Sequence, residues 1–282
     1  MEALARLLPE AFAYPFIVRG FLAVLVLAPL LGGLSHLVVA RRMAFFSTAL
    51  GQAALTGLTI GIALGEPLSA PYAGTFGFCL LAALAMVYVK RRSSLPADSL
   101  IGVFMSLSLG LGICLLVAAT SRFNIHQIEA VMFGSLLTLT DLDLALLLVV
   151  GLGVGGVLAF RYNELLADSL DPRLSRVAGG HPAFTEYLFV LLLTLAITVS
   201  LKVVGALLVE ALVVVPAAAA RNLARGTRSY LAASIGVALA SGLGGILVST
   251  QVRVPTGGAV VLVLSGAFFV TLVLGRLLRR AG

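Results

Sequence analysis

Residues 201–226 read LKVVGALLVEALVVVPAAAARNLARG. Between Lys202 and Arg221 the stretch is apolar, small or proline, with one exception, Glu210. An apolar helix of ~20 residues crosses the ~30 Å hydrocarbon layer of a bilayer. A carboxylate at a helix centre costs about 2.5–3.5 kcal/mol on insertion. Such a residue has to face the protein interior or a water-filled cavity. The stretch therefore predicts a buried membrane helix with one polar group of either structural or transport use.

The rest of the chain repeats the apolar pattern. Of 282 residues, 60% are hydrophobic and 11% charged, and the mean hydropathy is +1.12. A soluble domain carries about 25% charged residues, so this chain could not cover a wet surface. Backbone groups in lipid must be satisfied internally, which leaves helices or a closed barrel. The apolar runs are continuous, not alternating, and that excludes the barrel. The fold class is all-α: a polytopic membrane protein with eight or nine transmembrane helices, organised as a single transmembrane domain over 1–282. The spans fall near 17–40, 49–65, 71–89, 99–120, 141–160, 184–201, 203–220, 230–250 and 257–275. The short second span and the 189–220 run, divided only near Lys202, leave the choice between eight and nine.

The net charge of +7 does not mark a nucleic-acid binder, because the basic residues sit at span ends. Fourteen of the nineteen lie on one side: Arg41, Arg42, Lys90, Arg91, Arg92, Arg161, Arg173, Arg176, Arg221, Arg225, Arg228, Arg276, Arg279 and Arg280. Arg6, Arg19, Arg122, Lys202 and Arg253 take the other. The positive-inside rule makes the richer side cytoplasmic, with the N-terminus outside. The first residues lack the basic-then-oily order of a signal peptide and read as an interfacial amphipathic segment. Residues 121–141 form a second amphipathic stretch on the outer side. On the inner side the longest loop is 161–182, RYNELLADSLDPRLSRVAGGHP. There Asp171-Pro172 reads as a helix start and Gly179-Gly180 as its end. This loop is either an ordinary surface turn or a docking element.

Several motifs mislead. Gly151, Gly153 and Gly156 spell G-x-G-x-x-G but sit in an apolar span without a βαβ unit. Like Gly57, Gly61 and Gly65, they are expected to let helices approach closely. No Walker A motif is present, so the chain has no P-loop of its own. Cys79 and Cys114 lie in separate spans and suit packing. His36, His126 and His181 fall at three levels, which excludes a triad. On the second span Thr48, Gln52, Thr56 and Thr59 share one face, opposite its glycines. That stripe is either interhelical glue or a pathway lining. His36, five residues before Arg41, is either a satisfied packing residue or a ligand. Pro216 lies six residues after Glu210 and frees the Leu212 carbonyl.

Five segments together resemble the membrane subunit of the metal-importing ABC transporters, the zinc and manganese permeases. They are VVARRMAFFSTALGQAALTGLTIGIALG, ADSLIGVFMSLSLGLG, VMFGSLLTLTDLDL, LKVVGALLVEALVVVPAAAARNLAR and VPTGGAVVLV, in family order. The resemblance implies the metal-type ABC importer permease fold in a bacterial inner (plasma) membrane. It implies a homodimer, separate cytoplasmic ABC ATPase subunits and an extracellular or periplasmic solute-binding protein. It implies no enzyme activity in this chain, no covalent cofactor, and zinc or manganese as transported cargo. Asp171, Arg173 and Arg176 fall in its ATPase-coupling loop. One departure stands out. Where relatives carry an aspartate and a histidine four residues apart as a metal pair, this chain has Thr48 and Gln52. Neutral oxygens are poor zinc ligands. Either Glu210 and His36 take over as metal ligands, with Gln52 and Thr48 lining the path, or the substrate is a chelate or another small solute. A proton-coupled carrier with Glu210 as relay is the reading from another class.

Overall fold

A computed structural model describes residues 15–67, 72–119, 140–171, 175–176, 180–224, 226–252 and 254–281. The side chains of 15–18, 119 and 278–281 lie outside that description. So do the proposed interfacial N-terminus, most of the 121–141 stretch, His126 and Arg173. The helices are α1 (Pro15–Ala40), α2 (Phe46–Ala63), α3 (Tyr72–Arg92), α4 (Ala97–Ala119), α5 (Asp141–Leu170), α6 (Pro182–Val204), α7 (Ala206–Leu223), α8 (Thr227–Val252) and α9 (Thr256–Ala281). Among the described residues nine helices are long and apolar enough to cross a membrane. The all-α polytopic expectation holds, at the upper of the two span numbers.

Two boundaries differ from the sequence reading. The 189–220 run breaks at Gly205, not at Lys202. Gly205 has φ +82° and ψ 164°, a conformation glycine reaches without a Cβ clash. The 161–182 loop is shorter than expected, because α5 continues through Leu170. Its 30 residues span ~45 Å at 1.5 Å each, well beyond a ~30 Å hydrocarbon layer. The helix persists because Leu165 and Asp168 are buried against protein. The loop proper therefore begins at Asp171.

By internal packing the chain divides into two compact units. The first comprises Met1–His36, Phe133–Gly151 and Lys202–Gly282. In it α7, α8 and α9 pack on one another. Small residues set the spacing: Gly245 meets the backbone of Val260, and Gly32 of α1 meets Ile235 and Ala238 of α8. Ser234 Oγ donates to the Gly32 carbonyl at 2.7 Å. Ser35 Oγ accepts the Ala217 N–H at 3.2 Å, beside the Pro216 disturbance. Side-chain hydroxyls commonly serve backbone groups in this way near a membrane proline. Gly151 packs on Val26, as the close-packing expectation requires.

The second unit comprises Leu37–Met132 and Leu152–Leu201. Here α2 packs on α3 and α4. A Cβ on Gly74 of α3 would lie 2.5 Å from the Gly57 carbonyl and 2.5 Å from Gly61 Cα, so the two backbones nearly touch. Gly57 and Gly61 thus form the predicted packing stripe. Gly65 does not belong to it: its φ is +95°, and it ends α2. The Gly65 N–H donates to Ile62 and the Glu66 N–H to Gly61, a Schellman closure. Gly153 and Gly156 also depart from the expectation, with nothing described within 4 Å of a Cβ at either. Cys79 is buried, its Sγ 3.7 Å from the Leu50 carbonyl, while Cys114 is exposed on α4.

Candidate functional site

The opening break at Gly205 fixes where Glu210 lies. Glu210 is the fifth residue of α7, so its Cα stands ~6 Å along the axis from the helix start. Its side chain is half-buried. It lies nearer the start of α7 than its centre, because the helix begins three residues later than the sequence reading had it.

His36 belongs to the same unit. It is 1% exposed near the end of α1. Its Nδ1 lies 2.9 Å from the Gly33 carbonyl. Its ring meets Tyr230 of α8 edge-on at 5.7 Å between centroids. Thr48 and Gln52 belong to the other unit, one turn apart and both half-buried on α2. Gln52 Oε1 is buried with no hydrogen-bond partner among the described residues. Thr56, further along the same face, is glue: its Oγ1 donates to the Ser108 carbonyl of α4 at 2.6 Å. Thr59 Oγ1 donates to the Leu55 carbonyl of its own helix. The stripe is therefore divided: Thr56 and Thr59 are buried and hydrogen-bonded, while Thr48 and Gln52 stay half-buried. Among the described residues no group of three or more His, Cys, Asp or Glu side chains is arranged to hold a metal ion.

Asp171 follows α5 directly, its N–H donating to the Ala167 carbonyl at 3.0 Å. Its own carbonyl accepts the Ser175 N–H at 3.1 Å, and Ser175–Arg176 is helical. That four-residue spacing fits a helix start at Asp171, while the expected Pro172 and Gly179 lie outside the described residues.

Sequence reasoning missed the charge pairs that organise the helix ends. In the second unit the Arg41 guanidinium, 7% exposed, pairs with Asp168, 4% exposed, at 3.2 Å. Its Nε donates to Ser169 Oγ at 2.8 Å and its Nη2 to the Leu165 carbonyl at 3.2 Å. It lies over the Phe189 ring at 4.5 Å, a cation–π contact. Burial lowers the Arg41 pKa from its ordinary value, opposed by the charges of Asp168 and Glu186. An arginine still stays protonated at neutral pH. Glu186 of α6 accepts from Lys90 at 2.8 Å and from Arg91 at 3.3 Å. All these residues lie at the ends assigned to the richer basic side. In the first unit Arg19 pairs with Asp141 at 2.7 Å and Lys202 with Asp143 at 3.2 Å. Those ends were assigned to the opposite side. In the second unit, charge pairing across 95–127 residues of sequence has no local signal, so the sequence shows only the basic member of each pair at a span end.

Residues 13–275 match the family described as "ABC 3 transport family". The chain belongs to the ABC 3 transport family. Among similar proteins, the "Manganese import system permease protein ScaB" of Streptococcus gordonii is 28% identical over 92% of this chain and 91% of its own length. The "High-affinity zinc uptake system membrane protein ZnuB" of Haemophilus influenzae is 30% identical over 92% and 96%. Among solved structures, "PsaBC from Streptococcus pneumoniae in complex with Fab" superposes with a TM-score of 0.80 at 26% identity, covering 95% of both chains. The fold of this ABC 3 family member is thus that of a multi-pass permease over almost its entire length.

Proposed function

We propose that the chain is the permease subunit of an ATP-driven importer of a divalent transition metal, zinc or manganese. The observation that carries this reading is the near-full-length match to the ABC 3 transport family, whose relatives here are a manganese and a zinc permease. In this reading the chain makes no covalent bond. It acts as one permease domain in a bacterial inner membrane, surrounded by lipid and paired with a second copy. Two cytoplasmic ABC ATPases supply the Walker motif this chain lacks, and a solute-binding protein delivers cargo from outside. The loop from Asp171, with Arg173 and Arg176, receives the ATPase.

Moving a divalent cation through the membrane requires compensation for its lost hydration. Glu210 is the carboxylate that supplies it in α7, with His36, Thr48 and Gln52 as further pathway groups. The test is uptake of zinc and manganese ions into vesicles carrying the complete transporter. ATP-dependent uptake that falls about tenfold or more in Glu210→Gln, with a smaller loss in Thr48→Ala, supports the assignment. Unchanged uptake in Glu210→Gln removes the carboxylate from the path. Charge reversal at Arg173 and Arg176 is expected to uncouple hydrolysis from uptake.

A second reading keeps the permease and changes the cargo to a metal chelate or another small solute. Neutral Thr48 and Gln52, and the absence of a three-ligand cluster among the described residues, favour it. Competition of uptake by chelated against free metal separates the two. Uptake driven by a proton gradient without ATP would instead support a secondary carrier with Glu210 as relay.

A further inference from the structure

Arg41 uses its guanidinium on one turn of another helix. Leu165, Asp168 and Ser169 all belong to the end of α5, and each supplies it an acceptor. Two residues after Ser169 the chain reaches Asp171 and the loop proposed to receive the ATPase. On its other side Arg41 opens the turn into α2. The Arg41 N–H donates to Leu37, the Arg42 N–H to Val39 and the Met43 N–H to Val38. This is a Schellman closure in which the left-handed position, φ +55°, holds Arg42 in place of the usual glycine. The Phe46 N–H donates to Met43, and Phe46, which is fully buried, starts α2. Thr48 and Gln52 follow within two turns. A continuous chain of contacts thus runs from the loop, through one ion pair and one strained turn, to the helix that carries two pathway candidates. All of it lies in one compact unit.

We infer that Arg41 and Asp168 are coupling residues, whose ion pair hands displacement of the Asp171 loop to α2. The inference rests on the importer reading above. The pair is built to switch more than to stabilise. Desolvation of two buried charges cancels much of their attraction, so such a pair holds little net energy. Buried polar atoms are normally satisfied, yet Asp168 Oδ1 is buried without a hydrogen-bond partner among the described residues. That oxygen leaves room for a second donor when α5 shifts. The left-handed Arg42 loads the same turn with backbone strain. Two arrangements of similar energy at one joint are what mechanical coupling requires. The Glu186 pairs with Lys90 and Arg91 tie α3 to α6 at the same level and give the joint a fixed frame.

The experiment uses the complete transporter in liposomes, with zinc and manganese ions as probes, and reads ions taken up per ATP hydrolysed. Asp168→Asn keeps the shape of the side chain and removes its charge. It is expected to lower that ratio about tenfold or more. Ser169→Ala removes one of the acceptors of Arg41 at little risk to folding, and is expected to lower the ratio about threefold. Arg41→Lys, which keeps charge but loses the forked geometry and the ring stack, is expected to fall between them. An unchanged ratio in both Asp168→Asn and Ser169→Ala overturns the inference. Uptake and hydrolysis falling together, in step with lost folded protein, also overturns it, since that is the mark of a purely structural tie. Wild-type vesicles without ATP-dependent uptake would overturn the importer reading itself, and the coupling role with it.

Discussion

A methyl group added at Gly74 has nowhere to go. It would meet the Gly57 carbonyl and the Gly61 backbone at 2.5–2.6 Å, where neither atom can rotate aside. Gly74→Ala is therefore expected to destabilise the protein by about 1–3 kcal/mol, the usual cost of overpacking, read as a lower melting temperature in detergent. Gly77, on the same helix with nothing described within 4 Å of its Cβ position, is the control: Gly77→Ala is expected to leave the melt unchanged or raised. Gly205 is constrained by conformation, not by space. At φ +82° an alanine is strained, and Gly205→Ala is expected to cost about 1 kcal/mol or more and to disturb transport through the α6–α7 break. Sequence reading recognised the glycines of α2 as a set but could not separate their uses. Gly57 and Gly61 admit a neighbouring backbone, whereas Gly65 ends the helix, and the difference depends on what lies opposite each one.

At the scale of the element, α5 shows how a helix end is written in the chain and then put to further use. Thr140 Oγ1 accepts the Asp143 N–H at 3.2 Å, and Asp143 Oδ2 accepts the Thr140 N–H at 3.1 Å. This reciprocal arrangement is a capping box. The other carboxylate oxygen of Asp143 pairs with Lys202 at the end of α6. Thr140→Val is expected to cost about 1 kcal/mol through loss of the cap. Asp143→Asn is expected to cost about 1–3 kcal/mol, because it also leaves Lys202, 25% exposed, without that counter-charge. Thermal melts of the two variants check the order: Asp143→Asn is to be the less stable. The far end of α5 was misread as loop because its residues are polar. A helix that leaves the membrane loses the apolar signal while keeping its hydrogen bonds.

Across the whole molecule, the basic residues and the ion pairs carry the same topology. Arg41, Lys90 and Arg91 gather at helix ends tied by Asp168 and Glu186, while Arg19 and Lys202 gather at ends tied by Asp141 and Asp143. With Cys79 and Cys114 replaced, a cysteine at exposed Ser94 is expected to react with an impermeant maleimide only after cells are opened. One at exposed Pro67 is expected to react in intact cells. The reverse pattern would invert the orientation.

The sequence by itself determined the solvent, the order of the helices, their number to within one, and the family, because twenty apolar residues in a row and the clustering of basic residues at their ends need no tertiary context. It also singled out Glu210, since a carboxylate in such a run is costly wherever it faces. Tertiary structure alone decided which charges are paired, where α5 ends, and that the 189–220 run breaks at Gly205. Those outcomes depend on groups on other helices, far away in the sequence, or on a backbone angle that glycine permits without requiring. Burial then turns a positive charge at a helix end into one side of a joint.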